Sequence, residues 1–215
     1  MSVVELLSEL PVFASPLPSF DVESVPALPN ALFVAWLREA ATAGVVEPHA
    51  MTLSTVDEDG LPDARVVILR DVDDRGWLFA TSSESAKGRQ LERGGVALSF
   101  YWREQGRQVR VRGRSRALDP DTCARDFLVR PEMSREASLV GRQSTVLADR
   151  AELDGALVAA HRALIENPGA VAADHTLYVV EPARVEFWQG DAERRHVRLR
   201  YRRGASGWIR ELLWP

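Results

Sequence analysis

The sequence predicts an α+β protein built on an antiparallel β-barrel, and three observations carry that prediction. Short apolar runs rich in Val, Ile, Leu and Thr recur along the chain, separated by turns such as Asp57-Glu58-Asp59-Gly60 and Asp73-Asp74-Arg75-Gly76. Acidic residues closed by a glycine reverse the chain, so this is the pattern of a meander. The helical stretches between the strands are short insertions, as expected of helices packed around a barrel. No strand–helix–strand alternation, no G-x-G-x-x-G and no G-x-x-x-x-G-K-[ST] is present, which argues against dinucleotide-binding and P-loop folds.

The elements follow in order. Residues 1–29 contain Pro11, Pro16, Pro18, Pro26 and Pro29, which prevent a long helix; they read as an extended N-terminal arm, ahead of a single barrel domain over 30–215. Asn30 is a candidate cap for a helix to about Ala43, ended by Gly44, with Leu32, Phe33, Trp36, Leu37 and Ala40 on one face. Strands are expected at Met51–Val56, Arg65–Leu69 and Trp77–Thr81. Ser83 or Ser85 then caps a short helix through Leu91. Two more strands, Val96–Trp102 and Gln108–Leu118, precede a helix that Asp119-Pro120 opens and Pro131 breaks. A helix over Asp149–Glu166 follows, and the chain returns to strands at His175–Val180, Arg184–Trp188, His196–Arg202 and Trp208–Leu212.

The chain has 215 residues, 46% hydrophobic and 27% charged, enough to bury about 70% of the surface an unfolded chain exposes. Disorder, collagen and a disulfide scaffold are excluded. The lone cysteine, Cys123, forms neither an internal disulfide nor a thiolate metal cluster, and fits a reducing cytoplasm. No apolar run approaches the roughly 18 residues of a membrane span. The N-terminus carries Glu5 and Glu9 with no early Lys or Arg, unlike a signal peptide. A soluble cytoplasmic protein without a membrane partner is expected. A net charge of −4 argues against bulk nucleic-acid binding. The Arg110, Arg112, Arg114, Arg116 stripe has no interleaved aromatics and reads as a solvated strand face. His49, His161, His175 and His196 show no ligand spacing, so no metal is expected.

Several polar residues stand where chemistry needs them. Arg65 and Arg70 bracket an otherwise apolar strand, and Lys87 follows Thr81 and Ser85 at a helix start. Free N–H groups, hydroxyls and a lysine there make either a phosphate site or an ordinary capped surface helix. Gln108 reads as a solvated strand end. Arg194, His196 and Arg198 alternate, with Arg200 and Arg202 beyond them; on a strand they share one face. That face is either a wall for an anionic ligand or a solvated edge. Trp188, just before, is either a platform for a flat ligand or a core residue.

These residues sit in motifs that resemble the pyridoxine/pyridoxamine 5′-phosphate oxidase family of flavoproteins: M-T-L-S-T-V-D-E-D-G-L-P, R-V-V-I-L-R, F-A-T, S-A-K, R-Q-V, F-L-V-R-P, R-Q-S and V-E-F-W-Q-G…R-R-H-V-R. The resemblance spans about residue 30 to the C-terminus, and its last motif is the most specific. It implies a split-barrel homodimer with FMN at the subunit interface. It also implies hydride transfer from substrate to flavin N5, and reoxidation by molecular oxygen to hydrogen peroxide. The cofactor-binding positions it implies are Arg65, Val66, Ile68, Arg70, Thr81, Lys87, Gln108, Gln143, Ser144, Trp188 and Arg198. The substrate positions are Arg70, Arg130, Ser134, Arg194 and His196, with Arg194 and His196 holding the substrate ring over the flavin as the catalytic pair.

The chain departs from the family pattern at four of these places. Arg70 replaces a lysine, Asp126 a tyrosine, Ala86 an arginine, and Ala80 an aromatic residue. An ionised Asp126 near a substrate phosphate costs about 4 kcal/mol at a separation of about 4 Å and an effective dielectric of about 20. Asp126 and Arg130 stand four apart on the expected helix and could pair, which would neutralise the carboxylate but also occupy the arginine. A sister branch of phenazine-biosynthesis flavin oxidases acts on reduced tricyclic acids. A-W-L-R at Ala35–Arg38, K-G-R-Q at Lys87–Gln90 and Y-W-R-E at Tyr101–Glu104 resemble that branch, whereas Arg70, Arg130 and Ser134 together suit a phosphate. A flavin-binding protein without turnover is the further alternative.

Overall fold

Pro29 decides where the first long helix begins. In the computed structural model, which describes residues 2–13 and 16–215, the arm opens with helix α1 (Val3–Glu9), closed by a Ser2–Glu5 capping box. The arm is therefore not extended throughout; Met1, Ala14 and Ser15 lie outside the described residues. Helix α2 spans Pro29–Thr42 with Leu28, not Asn30, at its N-cap. Proline at the first helical position has no N–H to leave unpaired, so the helix starts two residues earlier than a cap at Asn30 would place it.

Strands β1 (Ala50–Val56), β2 (Pro62–Val72) and β3 (Trp77–Ser82) lead to the short helix α3 (Ala86–Leu91). After it come β4 (Gly95–Trp102), β5 (Arg107–Ala117), α4 (Pro120–Leu128), α5 (Glu132–Leu139), α6 (Arg150–Glu166), β6 (His175–Gln189), β7 (Val197–Gly204) and β8 (Gly207–Leu212). The strand order is β3-β2-β1-β4-β5-β6-β7-β8, and β3 also pairs antiparallel with β6, which closes β1 to β6 into a barrel. The α+β antiparallel barrel with peripheral helices is thus the observed fold.

Three elements differ from the sequence expectation. Helix α5 was not foreseen, because Pro131 reads as a breaker; it stands at the N-cap of the new helix instead. The strands expected at 175–180 and 184–188 are one strand, β6. Its first half pairs with β3 through Val180, and its second half with β7 from Arg184. Pro182 falls between these two pairings. Finally, β7 begins at Val197, so Arg194 and His196 precede the strand rather than lie on it.

The chain divides into two units: Met1–Thr52, Leu98–Arg112 and Pro182–Pro215 form the first, Leu53–Ala97 and Gly113–Glu181 the second. The first has an aromatic core. Trp36 meets Phe20, Trp102 and Phe187 at 4.8, 6.5 and 5.2 Å, and Phe33 meets Phe100 at 4.7 Å. The buried Arg107 lies over the Trp36 ring at 4.2 Å, donates to Gln189 Oε1 at 2.9 Å and pairs with Glu39 at 2.5 Å. Part of the arm is tied to this unit: Tyr201 donates its hydroxyl to the Pro26 carbonyl at 2.8 Å, and burial pushes its pKa up to about 12.

The second unit's core gathers Leu78, Leu118, Leu177 and Val179 around Cys123, which is 5% exposed. The Cys123 sulfur accepts the Leu177 N–H at 3.2 Å. Asp119 caps α4 by accepting the Thr122 N–H at 2.9 Å, as its sequence position predicts.

Candidate functional site

In the second unit, polar side chains converge on the turn into α3. Ser85 caps the helix by accepting the Gly88 N–H at 3.1 Å. A β-carbon at position 88 would run into the carbonyl oxygens of Ser82 and Ser83, so the turn requires glycine. The Lys87 ammonium donates to Gln143 Oε1 at 3.0 Å and to Ser85 Oγ at 3.3 Å. Thr81 donates to the same Gln143 oxygen at 3.4 Å, and the Ala86 N–H donates to Ser144 Oγ at 3.3 Å. Arg65 donates to Thr55 Oγ1 at 2.5 Å and Gln90 Oε1 at 3.1 Å, and pairs with Asp63. Burial, and then the Arg65 charge, hold the Lys87 ammonium below its ordinary pKa.

No carboxylate pairs with Lys87 among the described residues. A half-buried ammonium beside a guanidinium, supported by hydroxyls and an amide oxygen, is stabilised by an added anion. The donor set therefore fits a phosphate-bearing cofactor. Val66 and Ile68, 68% and 40% exposed, alternate with Arg65 and so lie on the other face of β2.

A second polar group surrounds Arg70. Leu69 pairs with Phe79 and Asp71 with Leu78, so Arg70 is the extra residue of a β-bulge in β2. Bulges re-aim side chains; this one delivers the Arg70 Nε to Asp126 Oδ1 at 3.0 Å. The other oxygen, Oδ2, lies 2.9 Å from His175 Nε2. Arg130 reaches His175 Nδ1 at 3.4 Å and donates to Ser138 Oγ at 2.7 Å. The expected Asp126–Arg130 pair is therefore replaced: Arg70 and His175 hold the carboxylate, and Arg130 turns to the far nitrogen of the same imidazole. Ser134, half-buried in the first turn of α5, offers its carbonyl to Ser138 at 2.9 Å. Burial would raise the Asp126 carboxyl, but the His175 hydrogen bond and the Arg70 charge outweigh it and hold the pKa below its ordinary value.

In the first unit the aromatic and cationic residues form two groups. The Trp188 and His196 rings lie 5.0 Å apart, and Phe13 of the arm lies 5.9 Å from each. Gly190 makes room for this cluster, since a β-carbon there would come within 2.7 Å of Phe13 and 3.0 Å of Trp188. The Asp191 N–H donates to His196 Nδ1 at 3.0 Å, which leaves the neutral ring's proton on Nε2. Arg194 is exposed, with φ +66°, in a turn where the Asp191 carboxylate accepts the Glu193 and Arg195 N–H groups.

Arg198 is on β7. It donates twice to Glu186 Oε1, at 2.9 and 2.8 Å, and once to the Trp214 carbonyl at 2.8 Å. Arg110 takes the other Glu186 oxygen at 2.6 Å, while Arg200 and Arg202 share Glu211. Carboxylates thus interleave the arginines. A pocket of about 180 Å³ is lined by Arg110, Arg112, Arg184, Arg198 and Arg200 with Glu186 and Leu213. Gln108 is half-buried on β5. Glu132, Glu136 and His161 form an exposed group on α5 and α6, with His161 Nδ1 2.6 Å from Glu136.

Of the residues singled out in the sequence, Arg65, Thr81, Lys87, Gln143 and Ser144 meet in one place, and Arg70 meets Arg130 through Asp126 and His175. Sequence reasoning missed Thr55, Gln90, Ser138, His175, Glu186 and Phe13. Strand alternation places Glu186 on the Trp188 side of β6 and was a usable signal; nothing local marks Phe13 as a neighbour of Trp188.

Comparison with known proteins adds a family. Residues 37–189 match the family model described as pyridoxamine 5′-phosphate oxidase, and residues 175–215 match the pyridoxine 5′-phosphate oxidase C-terminal dimerisation region. The chain is 42% identical over 193 residues to a pyridoxine/pyridoxamine 5′-phosphate oxidase of Ectopseudomonas mendocina, covering 88% of this chain and 90% of that protein. It is 43% identical over 185 residues to the same-named protein of Thermosynechococcus vestitus, covering 85% and 87%. Among solved structures it resembles PhzG from Burkholderia lata in complex with tetrahydrophenazine-1-carboxylic acid. The TM-score is 0.86 at 31% identity, covering 93% of this chain and 99% of that one.

Proposed function

Because the chain belongs to the pyridoxamine 5′-phosphate oxidase family of oxidoreductases, we propose that it is an FMN-dependent oxidase of a flat, reduced heterocycle bearing an anionic group. The observation that carries this reading is the convergence of Lys87, Arg65, Thr81, Gln143 and Ser144 around the start of α3, with no carboxylate on the lysine among the described residues. Arg65, Lys87, Gln143, Ser144 and the Ala86 N–H hold the cofactor phosphate. Each charge-assisted bond contributes roughly 1.5–3 kcal/mol. Val66, Ile68 and Trp188 offer apolar surface to the ring system, and Thr81, Gln108 and Arg198 offer polar contacts. The protein works as a homodimer with the cofactor at the subunit interface, drawing donors from both protomers; the match of residues 175–215 to a dimerisation region supports this.

When bound, FMN supplies the hydride acceptor, and molecular oxygen takes up the two electrons and two protons as hydrogen peroxide. The chain's own part is binding and orientation. Arg70 and Arg130 hold the substrate's anionic group, with Ser134 beside them. Arg194 and His196 position its ring, and His196 presents the Nε2–H that its Asp191 contact leaves free. Glu186 fixes the direction of Arg198 before any ligand arrives.

Two substrates represent the class. The curated relatives are named for a phosphate ester, pyridoxine 5′-phosphate, and this is the first reading. The likeness to a protein holding a tricyclic carboxylic acid favours the second. The test is anaerobic mixing of the yellow protein with pyridoxine 5′-phosphate or tetrahydrophenazine-1-carboxylic acid, following the flavin band. Bleaching, then peroxide release when air is admitted, supports the reading. Bound flavin that neither compound reduces would assign a carrying protein instead, and purified protein without flavin would overturn the cofactor.

A further inference from the structure

We propose that Asp126 is the specificity-determining residue of the Arg70–Arg130 subsite, and that it makes the subsite select a singly charged carboxylate over a phosphate monoester dianion. This rests on the function proposed above and names the substrate class for that same site.

Geometry fixes the carboxylate in place. Arg70 Nε holds Oδ1 at 3.0 Å, and His175 Nε2 holds Oδ2 at 2.9 Å. Asp126 and His175 are only 10% and 2% exposed, so the carboxylate can neither swing into solvent nor be screened by it. The imidazole's state follows from its neighbours. The Arg130 guanidinium, a donor only, faces Nδ1 at 3.4 Å. Nδ1 must accept, so the ring's proton is on Nε2 and is donated to Asp126.

Charge counting follows. Arg70 and Arg130 contribute two positive charges, and the Asp126 carboxylate between them and His175 removes one. Asp126 thus lowers the positive charge offered to a ligand by one, which disfavours a dianion more than a monoanion. The subsite's hydrogen-bonding capacity survives: the terminal nitrogens of Arg70 and the Nε and Nη2 of Arg130 make no hydrogen bond among the described residues. Two planar guanidinium groups with free N–H donors suit a carboxylate. A phosphate dianion drawn to the same donors also approaches Asp126, and like charges at such range repel strongly away from bulk water. Selection by a built-in repulsive group is how a site discriminates between ligands that share its attractive contacts.

The test uses a matched pair of anions on one ring, phenylacetate and phenyl phosphate, as competitors of flavin reduction in the holoenzyme. In the natural protein phenylacetate should compete better. Asp126→Asn keeps the side chain's shape and removes its charge. It should tighten phenyl phosphate by about tenfold or more while changing phenylacetate by less. With substrates, the same variant should shift the kcat/KM ratio of pyridoxine 5′-phosphate to tetrahydrophenazine-1-carboxylic acid toward the phosphate, through KM rather than kcat. Equal changes for both anions, or a natural protein in which phenyl phosphate already competes better, would overturn the proposal. If the variant does not fold, the competition in the natural protein decides alone. Failure of the underlying reading looks different: the flavin would be absent, or reduced by neither substrate.

Discussion

The paired arginines of the first unit and Lys87 of the second carry positive charge in opposite ways. In the first unit Arg107 is neutralised by Glu39, Arg110 and Arg198 by Glu186, and Arg200 and Arg202 by Glu211. In the second, Lys87 has, among the described residues, a hydroxyl and an amide oxygen as its partners, and its ammonium is destabilised by burial and by Arg65. A cation matched by a carboxylate contributes to architecture. One left with neutral acceptors is a standing cost to the empty protein that a ligand removes.

The comparison breaks first at Arg107. Glu39→Ala leaves a guanidinium that is 3% exposed without its counter-charge, and should destabilise the fold by about 3 kcal/mol, measured by denaturant unfolding. A loss under about 0.5 kcal/mol would show that Gln189 and Trp36 suffice. Lys87→Ala should act in the opposite sense: flavin affinity should fall roughly 10- to 100-fold, while the flavin-free protein unfolds at an unchanged or higher temperature. Titration with FMN and melting of the apoprotein read the two halves separately. An apoprotein clearly destabilised by this change would make Lys87 structural.

Asp126 sharpens the contrast, because it is a carboxylate matched to a cation in the second unit. Its folded pKa lies below the unfolded value, so its stabilisation is present above about pH 4 and is lost as pH falls through the folded value. Asp126→Asn should therefore lower stability at neutral pH, by about 1 kcal/mol, and flatten the acid limb of the pH–stability curve. The smallest effect is expected at Arg195, whose pair with Glu193 is about three-quarters exposed on both sides. Arg195→Ala should change stability by less than about 0.5 kcal/mol.

Most of the fold was legible, because apolar runs and glycine-closed turns are local signals. The failures were local signals with a second meaning. Pro131 stops one helix and starts the next, and Pro182 interrupts a strand pattern without interrupting the strand. The spacing of Arg194, His196 and Arg198 reads as strand alternation, yet the first two belong to a turn organised by Asp191. At the site, residue types were legible and partners were not. Asp126 and Arg130 stand one helical turn apart, which suggested a pair. The preference of Asp126 for Arg70 depends on a bulge in β2, and its contact with His175 on the start of a strand 49 residues away. Long-range register of that kind leaves no trace in spacing.

Cys123 carries one further consequence. Thiol oxidation needs a solvent-reached thiolate, and this sulfur is enclosed by aliphatic side chains and engaged by a backbone N–H. The peroxide that the proposed reaction releases would therefore find the chain's only sulfhydryl shielded. The same seclusion makes the chain a silent background into which a single reporter thiol can be engineered at any exposed position.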